Sequence, residues 1–115
     1  MNKTARNHQI DYIELGSTDL EQTKTFYTAV FGWSFTDYGP DYTSFNDGSL
    51  DGGFTTQAVP GGNPLIVIFA SDLEAAYERV KVNGGRISKD IFSFPGGRRF
   101  HFTDPSGNEL AVWSE

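Results

Sequence analysis

Two stretches of this chain repeat at a fixed offset, and a repeat of that length restricts the architecture more than any single motif does. Asp19-Leu20-Glu21 recurs as Asp72-Leu73-Glu74 and Gly32 as Gly85, each pair 53 residues apart. An apolar run precedes each copy, Tyr12-Ile13-Glu14-Leu15 in the first and Leu65-Ile66-Val67-Ile68-Phe69 in the second. Each unit therefore reads as strand, short turn, helix and glycine stop. In the first, Thr18 or Asp19 is the N-cap, and Leu20, Thr23, Phe26, Tyr27, Val30 and Phe31 recur at the three- and four-residue steps of an amphipathic helix. In the second, Ser71 or Asp72 caps, Leu73, Ala76, Tyr77 and Val80 form the buried stripe, and Asn83-Gly84-Gly85 ends the helix.

Short β-branched or ring-rich runs follow each helix, separated by turn residues. The first set is Trp33 to Tyr38, Tyr42 to Phe45 and about Leu50 to Ala58; the second is Ile87 to Phe94, Arg98 to Thr103 and Glu109 to Trp113. Gly61-Gly-Asn-Pro64 separates the halves. The expected fold is α+β, with two βαβββ modules in tandem, about 9–59 and about 64–115, in one domain spanning 1–115. Each sheet is mixed and curved, with its helix on the outer face and the other face left to line a trough. Alternation turns Ile13 and Leu15 toward the helix and Tyr12 and Glu14 into the trough. Phe100 and Phe102 likewise oppose Arg99, His101 and Thr103.

The composition narrows the function classes. Aromatics make up 15% of the 115 residues, with ten Phe, five Tyr and two Trp, so large rings supply most of the core. Cysteine is absent, which removes disulfides, thiolate nucleophiles and zinc knuckles and fits a reducing compartment. Nine basic against fifteen acidic side chains give a net charge of −6, a field that repels a phosphate backbone and attracts a cationic ligand. No nucleic-acid partner is expected. The polar start, Met1 to His8, lacks an apolar signal region and no later stretch has the length of a membrane span, so a cytoplasmic protein without membrane contact is expected. Asn2-Lys3-Thr4 spells a glycosylation sequon, which has no use without secretion.

Four stretches together carry a family pattern. They are Ile10-Asp-Tyr-Ile-Glu-Leu15, Asp19-Leu-Glu with Phe26-Tyr-Thr-Ala-Val-Phe-Gly-Trp33, Asp72-Leu-Glu with Asn83-Gly-Gly85, and Phe102-Thr-Asp-Pro-Ser-Gly-Asn-Glu-Leu110. Through them the chain resembles the glyoxalase, bleomycin-resistance and extradiol-dioxygenase superfamily, also called the vicinal oxygen chelate proteins. The resemblance implies paired βαβββ modules and a homodimer. It leaves open metal-dependent lyases, isomerases, dioxygenases and thiol transferases, and metal-free proteins that sequester antibiotics. Carried over to this sequence, the metal-binding positions of glyoxalase I fall on Tyr12, on Leu65 or Ile66, on Ala111 and around Gly52-Gly53, where only Asp51 is near. None of these supplies the His, Gln or Glu expected, and a divalent ion needs three or four converging donors.

The chain is therefore expected to be a metal-free relative without a cofactor, binding a small organic molecule in an aromatic-lined pocket. The wall residues expected from the sequence are Tyr12, Glu14, Phe54, Arg99, His101, Glu109 and Trp113. Glu14 and His101 are the acid–base candidates, His101 because its imidazole titrates near neutral pH. Arg98 and Arg99 offer a clamp for a carboxylate or phosphate, although alternation lets only one point inward. The alternatives are a glyoxalase-type lyase or isomerase with a displaced divalent metal on Glu14 and Glu109, and a non-catalytic module with a vestigial pocket. The glycine runs lack the Lys-Ser/Thr of a phosphate loop, and Asn46 to Asp51 lacks the spacing of a calcium loop.

Overall fold

The computed structural model describes residues 7–115; the Asn2 sequon lies outside them. Strand β1 (Tyr12–Gly16) leads into helix α1 (Leu20–Phe31), followed by β2 (Ser34–Asp37), β3 (Tyr42–Asn46) and β4 (Asp51–Thr55). The same order repeats as β5 (Ile66–Phe69), α2 (Leu73–Val82), β6 (Arg86–Phe94), β7 (Gly97–Thr103) and β8 (Glu109–Ser114). The strands form two four-stranded sheets, ordered β1-β4-β3-β2 and β5-β8-β7-β6. In each, the strand before the helix pairs in parallel with the last strand of its module, and the other pairings are antiparallel. The fold is thus α+β with two tandem βαβββ modules. Among the described residues no helix is long and apolar enough to cross a membrane.

Local chemistry explains the helix ends. Asp19 accepts from the Gln22 N–H at 3.1 Å and Asp72 from the Ala75 N–H at 3.0 Å, so in both copies the aspartate of the repeat is the cap. Gly32 ends α1 in the left-handed region at φ 75°. Its counterpart at the end of α2 is Gly84, at φ 94°, one residue earlier than the 53-residue offset predicts. Gly85 serves a different need: a Cβ there would stand 2.7 Å from Val80 and 3.0 Å from the Phe26 ring. Helix α2 thus packs closely on α1 at this point.

The helix-facing sides of both sheets share one core. Trp33 stacks on Tyr27 at 4.7 Å and on Phe45 at 4.5 Å, and Tyr27 lies 5.1 Å from Phe54. From α1, Phe26 and Phe31 reach Phe102 of β7, at 5.9 and 6.0 Å, so the first helix is packed against the second sheet as well as its own. Burying a ring of this size contributes roughly 1.5–3 kcal/mol. Because the rings belong to both halves, the core joins the modules. Tyr77, expected in the buried stripe of α2, is half-buried and meets Phe100 edge-on at 5.2 Å.

A polar knot ties the halves beneath these rings. Asp104 accepts from the Ser106 and Asn108 N–H groups at 3.0 and 2.9 Å and from the Tyr27 hydroxyl at 2.9 Å. Asn108, fully buried, donates to the Gly16 carbonyl at 2.8 Å and to Asp104 at 3.0 Å, and accepts from the Gly61 N–H at 2.8 Å. The turn between β7 and β8 is therefore bonded to α1, to the end of β1 and to the connection between the modules.

Candidate functional site

Both sheets turn one face to their helix and leave the other open, and the strand register decides which residues share the open faces. On the first sheet Tyr12 pairs with Asp51 and Glu14 with Gly53, while Ile13 and Leu15 pair with Gly52 and Phe54. The open face therefore holds Tyr12, Glu14, Asp51, Asn46 and Ser44. Phe54, expected on the pocket wall, lies on the other side: it is fully buried among Tyr27, Phe45 and Phe35. Its in-register pairing beside Leu15 decides this, because a one-residue step in a strand reverses the face.

The polar groups of this first face largely bond one another. The Tyr12 and Tyr42 hydroxyls are 2.6 Å apart, and Tyr42 donates to the Glu14 carboxylate at 2.9 Å. The Tyr42 hydroxyl sits over Gly53, where any Cβ would overlap it. Burial is the main cause that holds the Tyr42 phenol far above its ordinary ionisation range, helped by the bonds to Tyr12 and Glu14. Asn46 donates to Asp51 at 2.8 Å. A cavity of about 440 Å³ beside Tyr12, Ser34, Tyr38, Ser44 and Asp51 is lined mainly by such groups.

The open face of the second sheet differs in kind. Register brings Arg99 opposite Trp113 on β8 and Phe92 on β6, His101 opposite Ala111 and Lys89, and Val67 opposite Ala111. Arg98 points to the helix side and makes a two-bond pair with Glu74 of α2, at 2.6 and 3.2 Å. Arg99 has no carboxylate partner among the described residues, whereas Lys24, Lys81 and Arg98 each have one within 3.6 Å. The Arg99 guanidinium instead lies 5.4 Å from the Phe92 ring centre and 5.6 Å from that of Phe94. Its Nε is buried without a hydrogen-bond partner. Trp113 meets Phe69 edge-on at 5.3 Å and Phe94 at 6.3 Å. Val67, Phe94, Arg99 and Trp113 line an open depression of about 240 Å³.

His101 and Glu109 come together on the same face. Imidazole Nδ1 lies 3.0 Å from a Glu109 carboxylate oxygen, which also receives the Ser88 hydroxyl at 3.4 Å. Nδ1 is thus the ring nitrogen engaged by the carboxylate. Nε2 is buried without a partner. The expected wall residues thus divide into a Tyr12–Glu14 group joined through Tyr42 and an Arg99–His101–Glu109–Trp113 group, on different sheets.

Sequence reasoning missed Tyr42, Val67, Phe69, Phe92 and Phe94. Alternation along Leu65 to Phe69 was enough to find Val67 and Phe69. Phe92 and Phe94 carried no such signal, because β6 has two register shifts, between Ile87 and Lys89 and between Lys89 and Phe92. Those shifts set Phe92 opposite Arg99.

The positions onto which the resemblance carries metal ligands do not supply donors for one in this chain. The Tyr12 phenol is bonded to Tyr42, Ile66 turns to the core opposite Leu110, Ala111 is a buried methyl group, and Gly53 lies under the Tyr42 hydroxyl. Glu14 and Glu109 are engaged by Tyr42 and His101. Among the described residues no three His, Cys, Asp or Glu side chains gather as a metal would require.

Fold, repeat and the family's sequence pattern agree: the chain belongs to the Glyoxalase/Bleomycin resistance protein/Dioxygenase superfamily, whose family model matches residues 9–112. It is 36% identical to the anthracycline biosynthesis protein DauV of Streptomyces sp. (strain C5), over 89% of this chain and 45% of that protein. It is 30% identical to a glyoxylase-like domain-containing protein of Didymella fabae, over 90% of this chain and 91% of that one. The chain spans about half the length of the first of these. Among solved structures, a glyoxalase-related enzyme from Fulvimarina pelagi matches with a TM-score of 0.81 at 20% identity, covering 94% of this chain and 88% of that one. The fosfomycin resistance protein FosX of Mesorhizobium loti matches with a TM-score of 0.77 at 15% identity, covering 94% and 92%. These two likenesses concern the fold.

Proposed function

We propose that the protein binds a small organic molecule on the open face of its second sheet, between Val67, Phe94, Arg99 and Trp113, without a divalent metal. One observation carries this reading: three apolar side chains and an arginine without a carboxylate partner converge on one cavity. Ligand sites combine an apolar lining with few polar groups that fix orientation. The first open face supports the choice by contrast, since its hydroxyls and carboxylates bond one another. The relatives named for anthracycline biosynthesis also support a small organic ligand.

Titration with naphthamide, a neutral two-ring probe, tests the reading through tryptophan fluorescence. Trp113 is half-buried at the cavity while Trp33 stacks inside the core. Quenching should saturate, and it should vanish in Trp113→Ala. Undiminished quenching in that variant, or none in the unaltered protein, overturns the site. Elemental analysis addresses the metal: a stoichiometric divalent ion that survives dialysis and is needed for binding overturns the metal-free part.

A second reading rests on the 3.0 Å contact of His101 with Glu109, the arrangement of an oriented base. It ranks second because Nε2, the nitrogen left to take a proton, is sealed from solvent. Proton transfer would require the packing around the ring to open. Deuterium uptake from solvent by an acidic C–H of a bound ligand, lost in His101→Gln, would favour it. Homodimer assembly belongs to the first reading, with the exposed Val67 and Phe69 on edge strand β5 as its physical support. Sedimentation tests it.

A further inference from the structure

We infer that the ligand of this cavity is a planar organic anion, such as an aromatic carboxylate, and that Arg99 selects its charge; this rests on the reading of the second open face as a ligand site. The rings and the net charge of −6 suggest the opposite, a cation drawn to aromatic faces. The cavity already contains its own cation. Arg99 occupies the ring faces of both Phe92 and Phe94, so a second positive charge entering beside it would be repelled.

Arg99 also differs from its neighbour in a way that marks it as a receptor. Arg98 spends its fork on Glu74. On the Arg99 side, Glu109 is bonded to His101 and Ser88. The Arg99 Nε is left buried with no acceptor, and a buried donor without an acceptor is costly unless something arrives to meet it. A carboxylate can take the terminal guanidinium nitrogens, and it reaches Nε, which is sealed from solvent as His101 Nε2 is, only when the Arg99 side chain shifts on the rings. The two phenylalanine rings limit how far the fork can swing away. Trp113, Phe94 and Val67 then offer apolar surface to the ring system of the same ligand. Among the described residues, a second buried nitrogen without a partner, His101 Nε2, belongs to the residue two positions along the same strand.

Calorimetric titration of the full chain with naphthoate, naphthamide and naphthylmethylammonium separates charge from shape, because the three share one ring system. The carboxylate should bind at least about tenfold more tightly than the amide, and the ammonium most weakly. Arg99→Gln should abolish the preference, so that carboxylate and amide bind that variant with the same affinity. Arg99→Lys should keep only part of the preference, since an ammonium lacks the planar fork. Added salt should weaken the carboxylate alone, a readout that needs no variant should Arg99→Gln fail to fold. Equal affinity for carboxylate and amide, a preference that survives Arg99→Gln, or tightest binding of the ammonium would each overturn the inference. In those cases an amide affinity abolished by Trp113→Ala leaves the ligand site itself standing. If none of the three probes binds, the site and the inference fall together.

Discussion

Replacing Asn108 with alanine should cost this fold about 3 kcal/mol, although the residue touches no ligand face. The side chain is fully buried and makes three hydrogen bonds, to the Gly16 carbonyl, the Gly61 N–H and the Asp104 carboxylate. These losses are unequal. Gly61 is exposed, so water replaces its partner at little cost. Gly16 is buried at the end of β1, and an unmet buried carbonyl costs roughly 1–3 kcal/mol. Asp104 keeps the Tyr27 hydroxyl and two backbone donors but loses one bond to a charged acceptor, worth about 1.5–3 kcal/mol. Partial relaxation keeps the total near the lower end, which is still a large share of the roughly 5–15 kcal/mol that holds a domain folded. Urea denaturation should show a lower midpoint with an unchanged slope, and Tm should fall by about 12 °C. Asn63→Ala, which removes an exposed bond to Pro64, serves as the control and should change little. A loss below about 1 kcal/mol for Asn108→Ala would refute the view that this turn locks the two modules together.

Two other perturbations follow from the same geometry. Burial, with the Asp104 charge and bond added, holds the Tyr27 phenol well above its ordinary value near 10. Since the raised value belongs to the folded state, its stabilisation is complete below about pH 10 and is lost as pH rises beyond that. Urea midpoints at about pH 8 and about pH 11 should diverge in the unaltered protein and diverge less in Tyr27→Phe, where the raised Tyr42 phenol still contributes the same dependence. Gly53→Ala should push the Tyr42 hydroxyl aside and break its bonds to Tyr12 and Glu14, at a stability cost of no more than about 1–3 kcal/mol because ring ends can move. Spectrophotometric titration should then show one tyrosine returning toward the ordinary range, and an unchanged titration curve would sink the idea.

The sequence was most informative where a requirement is local. The repeated Asp-Leu-Glu foretold both helix starts, because a cap needs only a side-chain oxygen three residues from an N–H. Alternation separated Phe100 and Phe102 from Arg99 and His101 correctly, and it placed Tyr12 and Glu14 on the face away from the helix. Phe54 was expected on the pocket wall only as a strand aromatic, and its face depends on which strand β4 pairs with and in what register. Alternation was silent on Phe92 and Phe94, since the two irregularities of β6 interrupt the period. The slip from Gly85 to Gly84 has a similar origin: a repeat in sequence does not specify which of two adjacent glycines takes the left-handed turn and which makes room for Phe26.

What the linear order of residues settled by itself was the pair of βαβββ modules and the aspartate caps that start their helices. Both depend on residue type and short-range spacing. Only the tertiary structure decided that Arg99 stands between two phenylalanine rings while Arg98 is spent on Glu74, and that His101 meets Glu109. Those contacts join residues on different strands and on α2, whose side chains meet only after pairing register and the packing of helix on sheet have set their positions.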